Sequence, residues 1–311
     1  MDNRQKENQL FPLKGFFAIA LIKFIYWLPR TFSRRLSQFI NRLIFFLSAK
    51  KRHIVLTNLK IAFPSLDHEE ISVLAKNSMK QNGKLLPEFL VAWFGDRQQI
   101  ENEISDIGGR EIIDQFMANG DPVIIAAPHI GNWELMGQWI QINYPMVALY
   151  ASSKIPQIDQ LVFNARSRFG GKLYSTDSKG ILNLLRSLRK GKLTVVLPDQ
   201  VPKQGSGIYV PFFGKPAYTM TLLNKFVQKS KAQLVFGYCV PRDNHQGFDI
   251  KFERPTFDSF ESDPAIFNLA MNRQIEAIIK RYPEQYVWDY KRFKLQPDGH
   301  NPYAKNKKLA D

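Results

Sequence analysis

Short apolar runs alternate with amphipathic segments from about residue 120 onward. Five runs rich in branched and aromatic residues predict β-strands: PVIIAA (122–127), MVALYA (146–151), KLTVVLP (192–198), AQLVFGYCV (232–240) and FDIKFERP (248–255). Five segments with apolar residues three or four apart predict helices: NWELMGQWIQI (132–142), QIDQLVFNARSRF (157–169), GILNLLRSLRK (180–190), TMTLLNKFVQKS (219–230) and PAIFNLAMNRQIEAIIKRY (264–282). This alternation predicts an α/β fold with a layered α/β/α arrangement around a mostly parallel sheet.

The first half of the chain has a different pattern. Residues 54–118 are mainly of helical periodicity, and a helix over 66–90 is predicted to be capped by Asp67. The tail after Gln296 is polar, so we expect it to be frayed. Neither a repeat nor a linker rich in Gly, Ser or Pro interrupts the sequence.

The N-terminus predicts a membrane anchor. Residues 11–28 contain only two charged side chains, Lys14 and Lys23, and at about 1.5 Å per residue they nearly span a bilayer core of roughly 30 Å. Residues 31–53 are amphipathic and basic, which is typical of a helix lying on an anionic leaflet. The alternative is a pair of buried core helices. We therefore divide the chain into an anchor, residues 1–50, and an α/β domain, residues 51–311.

Charge supports the membrane interpretation. The net charge is +15, and residues 1–60 hold twelve Lys or Arg against two acidic residues, a net of +10. Such a surface attracts nucleic acid, anionic lipid or an acidic protein. Because the basic residues alternate here with bulky aliphatic ones, we expect lipid and no nucleic acid. The positive-inside rule then places the body of the protein in the cytoplasm. The single cysteine, Cys239, lies in a strand-like run and is predicted to be buried filler.

The candidate chemistry follows the strand at 122–127. His129 lies where that strand ends and a helix begins, and sheets of this kind place ligands at that edge. Glu134 lies five residues later, within reach of the imidazole, so we expect it to orient His129 as a general base. Backbone N–H groups near Gly131 and Asn132, at the start of this helix, could bind a developing oxyanion or a phosphate.

Other catalytic schemes are less favoured by the sequence. The four remaining histidines, His53, His68, His245 and His300, lie in polar or loop contexts. The H-x4-E spacing does not place two ligands on one helical face, so neither a zinc ion nor any cofactor is expected. No Ser or Cys lies in a nucleophile-elbow motif, which argues for direct transfer rather than an enzyme-bound intermediate.

The H-x4-E element resembles the H-x4-D/E signature of glycerolipid acyltransferases. Together with four further segments, the sequence is similar to the late, lauroyl- or myristoyl-type acyltransferases of lipid A biosynthesis, within the lysophospholipid acyltransferase superfamily. These segments are QLVFNARSRFG (160–170), TVVLPDQ (194–200), GIYVPFFGKP (207–216) and QYVWDYKRFKLQP (285–297). They occur in the family's order, and the resemblance extends from the N-terminal anchor to about residue 297.

The resemblance implies an acyltransferase fold and an enzyme of the cell inner membrane that faces the cytoplasm. It implies transfer of an acyl chain from acyl carrier protein to a hydroxyl of a lipid A precursor. By position, His129 is then the base, Glu134 its orienting carboxylate, Arg166 an arginine important for activity and Asp199 an acidic residue near the site.

The residues themselves are less specific about the supporting groups. Arg166 and Arg168 diverge on a helix, so only one of them is expected to point inward to a phosphate or carboxylate. Asp199 follows a strand at the same edge as His129, and it could hold a donor or merely cap a loop. The aromatic segment GIYVPFFG suits an acyl-chain wall or a packed core loop.

Two other functions stay open at this stage. The acceptor could be a glycerolipid or a glycosylated phosphoinositide, since the sequence motif HIGNWE (129–134) occurs across such relatives. The protein could also be a non-catalytic binder of membrane lipid.

Overall fold

The structure is a computed structural model that describes residues 3–242 and 247–304, with only the backbone described for residues 3–14. Eleven helices and nine strands are described in these ranges. The helices are α1 (Asn3–Trp27), α2 (Arg30–Leu47), α3 (Ala49–Ala62), α4 (His68–Phe94), α5 (Arg97–Asn102), α6 (Arg110–Ala118), α7 (Trp133–Asn143), α8 (Pro156–Ser167), α9 (Ser178–Leu188), α10 (Leu222–Ser230) and α11 (Pro264–Arg281). The strands are β1 (Ile104–Gly108), β2 (Val123–Ala126), β3 (Met146–Tyr150), β4 (Lys172–Ser175), β5 (Leu193–Val196), β6 (Gly207–Phe212), β7 (Lys215–Met220), β8 (Gln233–Pro241) and β9 (Phe248–Glu253).

Seven strands form one sheet in the order β1-β9-β8-β2-β5-β3-β4. All neighbouring pairs are parallel except β8 and β9, which are antiparallel. Strands β6 and β7 form a separate antiparallel hairpin. The predicted mostly parallel sheet is confirmed, and the five predicted strands correspond to β2, β3, β5, β8 and β9.

The central strand β2 shows why helices cover both faces of the sheet. Its side chains alternate, with Ile124 and Ala126 in one buried cluster and Val123 and Ile125 in the other. The first cluster includes residues of α3, α4, α9, α10 and α11, and the second includes residues of α5, α6 and α7. A strand buried on both faces has no polar positions, which explains its uninterrupted apolar sequence.

Four strands differ from the sequence interpretation. The edge strand β1 lies inside a region predicted to be helical. The sequence of β4 is KLYS, which is too short and too polar to be recognised as a strand. The hairpin occupies residues 207–220, and it includes the first two residues of the helix predicted at 219–230. Edge strands of four or five residues carry too few alternating positions to be recognised from sequence.

The N-terminal helices pack against the domain. Asp67 forms a capping box at the start of α4, as predicted. Arg30 and Arg34 of α2 form ion pairs with Glu103 and Glu88. Asn58 of α3, which is buried, donates to the carbonyl groups of Trp288 and Tyr290 at 2.6 and 2.8 Å.

The chain beyond Gln296 differs from the prediction as far as it is described. Tyr303 is buried, and its hydroxyl contacts both the Asn58 side chain and the backbone N–H of Phe293. The predicted frayed tail is therefore wrong around Tyr303, because this aromatic side chain is held against α3, whereas residues 297–301 are exposed. Residues 305–311 lie outside the described part.

The predicted membrane-spanning helix is not confirmed. Among the described residues, no helix combines the length and the apolar character needed to cross a bilayer. The side chains of residues 11–14, which belong to the predicted anchor, lie outside the described part. The division at residues 50 and 51 stays a prediction.

Candidate active site

The register of two neighbouring strands brings the site together. Ala126 of β2 pairs with Val196 of β5, and both strands run in the same direction. His129 and Asp199 each lie three residues beyond these paired positions, at the same edge of the sheet. The aligned strand ends therefore place the His129 imidazole next to the Asp199 carboxylate.

Asp199 is the carboxylate that contacts His129. Its Oδ1 lies 2.7 Å from the Nδ1 atom of His129, and its Oδ2 accepts the backbone N–H of the same histidine at 2.9 Å. The carboxylate is buried, whereas the imidazole keeps 16% of its side-chain surface exposed. A carboxylate that accepts at Nδ1 fixes the tautomer in which Nε2 carries a lone pair.

Burial and charge act against each other at Asp199. Burial tends to raise the pKa of its carboxyl, but His129, the two hydrogen bonds and Arg292 outweigh this effect and hold the pKa below its usual range. Arg292 is itself buried and is fixed by hydrogen bonds to the Tyr218 carbonyl and the Thr219 hydroxyl. A buried cation beside Asp199 stabilises the ionised form that His129 needs.

Glu134 has different partners from those expected. Its carboxylate accepts from Arg166 through Nε at 3.2 Å and through a second guanidinium nitrogen, and from Trp93 Nε1 at 3.0 Å. The expectation that Glu134 orients His129 is thus corrected in its geometry: Asp199 makes that contact. Since α7 begins at Trp133, the helix carries Glu134 toward α4 and α8, away from Nδ1.

Arg166 and Arg168 diverge. Arg166 lines the same cavity as His129, and although burial lowers the pKa of a guanidinium, Glu134 raises the pKa of Arg166 above its ordinary value. Arg168 donates to the backbone carbonyl of Ala92 and lines a separate groove beside α1. Arg166 is therefore the arginine at the site, and Arg168 holds α8 to α4.

Gly131 and Asn132 fix the loop rather than offering free donors. The N–H of Gly131 donates to the Gln285 carbonyl at 3.0 Å, and that of Asn132 donates to the Cys239 carbonyl at 2.8 Å. The Asn132 side chain caps α7 by accepting from Leu135 N. The expectation of an oxyanion or phosphate site near Gly131 and Asn132 is therefore wrong for these two N–H groups, because neighbouring strand and loop carbonyls already occupy them.

The sequence interpretation did not identify four residues at the site: Trp93, Gln200, Tyr286 and Arg292. Gln200 directly follows Asp199, and its side-chain nitrogen lies 3.1 Å from His129 Nε2. Tyr286 and Arg292 come from the segment 285–297, where they surround Asp199, and burial raises the pKa of the Tyr286 phenol. Adjacency to Asp199 was a signal for Gln200, but nothing in the sequence linked Trp93 to Glu134.

An apolar cavity of about 510 Å³ adjoins the dyad. Its walls include residues of β3, β4, β5, β7, α7, α8, α9 and α10 and of the segment after β5. The apolar lining residues include Met146, Ala148, Leu149, Leu173, Leu184, Val195, Leu197, Met220 and Leu222. The segment GIYVPFFG has the second of its two expected roles, that of a packed segment, with Phe212 against Phe293 and Phe213 against Trp288.

Other candidate groups do not join this site. Cys239 is buried and burial raises the pKa of its thiol, which agrees with a role as filler. Within the described ranges, no three His, Cys, Asp or Glu side chains are placed to hold a metal ion. His245 lies outside the described residues.

The anchoring of the His129 loop gives a stability prediction. Gly131 has φ +56°, and a Cβ there would lie 2.0 Å from the Cys239 carbonyl oxygen. We expect Gly131→Ala to lower the free energy of unfolding by at least ~1–3 kcal/mol, the range for a strained backbone residue. Chemical denaturation measures this change.

Gly137 provides the matched control. It lies inside α7 and a Cβ there meets nothing within 4 Å. Gly137→Ala should leave the free energy of unfolding unchanged or raise it by roughly 0.5–1 kcal/mol. Equal stability of the Gly131 variant and the wild type would contradict the proposed anchoring.

Comparison with known proteins identifies the family of this chain. Residues 4–295 match the family model described as bacterial lipid A biosynthesis acyltransferase. A Haemophilus influenzae protein named lipid A biosynthesis acyltransferase is 27% identical, covering 93% of this chain and 89% of the relative. Two Escherichia coli proteins, a lipid A biosynthesis lauroyltransferase and a myristoyltransferase, are each 25% identical, over 90% and 87% of this chain and 91% and 83% of their own lengths.

The predicted family resemblance is confirmed, since the matched region covers nearly the whole sequence and contains every residue of the dyad and the cavity. With an α/β sheet, an imidazole–carboxylate pair and an apolar cavity at one edge, the chain belongs to the bacterial lipid A biosynthesis acyltransferases.

Proposed function

We propose that this acyltransferase moves a fatty acyl chain from the thioester of acyl carrier protein to a hydroxyl of a lipid A precursor, with His129 as the general base. One observation carries the proposal: the imidazole, held by the buried Asp199 at 2.7 Å, lines an apolar cavity of about 510 Å³. A cavity of this size is within the usual range for small-molecule sites, about 300–1,000 Å³.

The tautomer fixed by Asp199 defines the proton path. Nδ1–H donates to Asp199, so Nε2 is the atom that accepts the proton of the acceptor hydroxyl. The alkoxide oxygen attacks the thioester carbonyl carbon, and the tetrahedral intermediate then expels the thiolate. The imidazolium returns the proton to that sulfur, which gives an ester and a free thiol without an acyl-enzyme intermediate.

Glu134 and Arg166 have a binding role in this scheme. Glu134 holds the guanidinium of Arg166 at the cavity wall through two nitrogens. Trp93 donates to the same carboxylate and so restricts its position further. An arginine fixed in this way suits a phosphate-bearing acceptor, because its remaining N–H groups match phosphate oxygens.

The apolar lining suits the donor's acyl chain. Leucine, methionine, valine and alanine side chains make up much of the cavity wall, and polar side chains such as Gln138, Gln141 and Thr194 also line it. Burial of each methylene group contributes about 0.8 kcal/mol, so chain binding alone supplies much of the donor affinity. The excess of basic residues, +15 overall, favours an acidic carrier protein.

The exposed face of the N-terminal helices suits the cytoplasmic surface of the inner membrane. Large apolar side chains on α1 and α2 are 44–83% exposed: Phe16, Phe17, Leu21, Phe24, Trp27, Phe32, Phe39, Ile40, Leu43, Ile44, Phe46 and Leu47. Exposed patches of this kind mark interaction sites on soluble domains. Arg35 and Arg42 lie on the amphipathic helix α2, where they can contact anionic headgroups.

Lipid A mass spectrometry tests the activity. Cells lacking the gene should have lipid A that is lighter by one or two acyl groups, and the wild-type gene should restore the mass. The gene with His129→Ala should not, because loss of a general base costs about 10²–10⁴-fold in rate. Purified wild-type enzyme should perform the same transfer with acyl carrier protein thioester as donor.

His300, which is exposed, supplies the matched control, and His300→Ala should restore the mass fully. Restoration by His129→Ala would indicate a non-catalytic lipid-binding protein. Unchanged lipid A in cells lacking the gene would indicate a glycerolipid or glycosylated phosphoinositide acceptor.

Vesicle flotation tests the membrane surface. Phe39 and Phe46 of α2 are 65% and 74% exposed, so their loss should not disturb the core. Each buried phenylalanine contributes about 1.5–3 kcal/mol, and the double variant Phe39→Ser, Phe46→Ser should bind anionic phospholipid vesicles at least about tenfold more weakly.

Phe260 lies near α10 and is 39% exposed, so Phe260→Ser is the control for loss of an exposed phenylalanine. Its vesicle binding should equal that of the wild type. If the double variant bound as tightly as this control, α2 would not be the membrane-contacting surface.

A further inference from the structure

Transfer of an acyl group creates a negative charge that needs a donor. When the acceptor oxygen attacks the thioester, the carbonyl oxygen becomes an oxyanion, and preorganised N–H groups usually stabilise it. The N–H groups of Ile130, Gly131 and Asn132, which follow His129, already donate to the carbonyl groups of Pro128, Gln285 and Cys239. A side chain beside Nε2 can supply the donor instead.

Gln200 is such a group. Its side-chain Nε2 lies 3.1 Å from His129 Nε2, and it lines the same cavity. Since Nδ1–H of the histidine donates to Asp199, the amide of Gln200 must be the donor in this contact. The contact thus places a neutral N–H group directly beside the nitrogen that removes the proton.

The imidazole nitrogen has one lone pair, so it cannot accept from Gln200 and from the acceptor hydroxyl together. Binding of the acceptor must release the amide. The backbone around Gln200 is held, because Asp199 is buried against His129 and Val201 N donates to the Tyr290 hydroxyl at 3.0 Å. The Gln200 side chain can then rotate within the cavity that we propose for the thioester.

We propose that Gln200 is a catalytic residue that the acceptor hydroxyl displaces from His129 Nε2 and that then donates its amide N–H to the oxyanion. This inference rests on the proposed function, because it assumes that His129 is the base. It also accounts for the hydrogen bond between Gln200 and His129 Nε2.

The atoms balance in this step. The O–H bond of the acceptor breaks as its proton passes to His129 Nε2, and a C–O bond forms at the thioester carbon. The electron pair of the C=O bond moves to the oxygen that accepts from Gln200. Collapse reforms that C=O bond and breaks the C–S bond, and the thiolate takes the proton from the imidazolium.

Steady-state kinetics with Gln200→Ala and Gln200→Met tests the proposal. Methionine keeps the length of the side chain but has no N–H donor. Both variants should lower kcat about 10²–10³-fold, the usual cost of one oxyanion donor, while KM for each substrate stays within about threefold. The Met variant guards against a packing defect in the Ala variant.

Gln200→Glu adds a readout that a structural role would not change. A carboxylate beside Nε2 favours the protonated imidazole, so the acidic limb of the kcat/KM profile should move to higher pH. The exposed Gln115, paired with Arg254, gives the control Gln115→Ala, which should keep wild-type values.

Three results would overturn the proposal. Wild-type or faster kcat in the Met variant would mean that Gln200 only covers the lone pair. A rise in KM with unchanged kcat would mean that it only binds substrate. An unmoved acidic limb in Gln200→Glu would mean that the amide does not lie at the base. Failure of the proposed function would give a different result. His129→Ala would then remain active, regardless of the activity of the Gln200 variants.

Discussion

The hydrogen bond between His129 and Asp199 is the interaction on which the site depends. It exists because β2 and β5 are parallel neighbours whose last residues, Ala126 and Val196, are in register. The chain then continues for three residues beyond the end of each strand, to His129 after β2 and to Asp199 after β5. A slip in this register would separate the two groups, so the buried, fully apolar β2 protects the catalytic geometry as well as the core.

Two carboxylates divide the work at this edge of the sheet. Asp199 is buried, and the neighbouring charges hold its pKa below the usual range, so it is suited to orient an imidazole. Glu134 instead neutralises and positions Arg166. The two pairs share one cavity but make separate contacts, so a substitution in one pair need not disturb the contacts of the other.

The sequence predicted the sheet, and the edge of the sheet at which His129 lies, better than it predicted the side-chain contacts at that edge. Strong apolar runs located β2, β5 and β8, and the strand-to-helix turn located His129, because such signals are local. The partner of His129 lies 70 residues away, however, and Glu134 was favoured only because it is close in sequence. Trp93, Tyr286 and Arg292 reach the site through tertiary packing, and short edge strands such as β4 carry too little periodicity to be recognised.

The tautomer of His129 tests the central claim most directly. Nitrogen-15 NMR of the ligand-free protein, with His129 assigned by comparison with His129→Ala, distinguishes a protonated from an unprotonated ring nitrogen. At neutral pH the neutral imidazole should carry its proton on Nδ1, toward Asp199, and leave Nε2 unprotonated. A neutral imidazole protonated on Nε2 would contradict the account, because the nitrogen facing the cavity could then accept no proton.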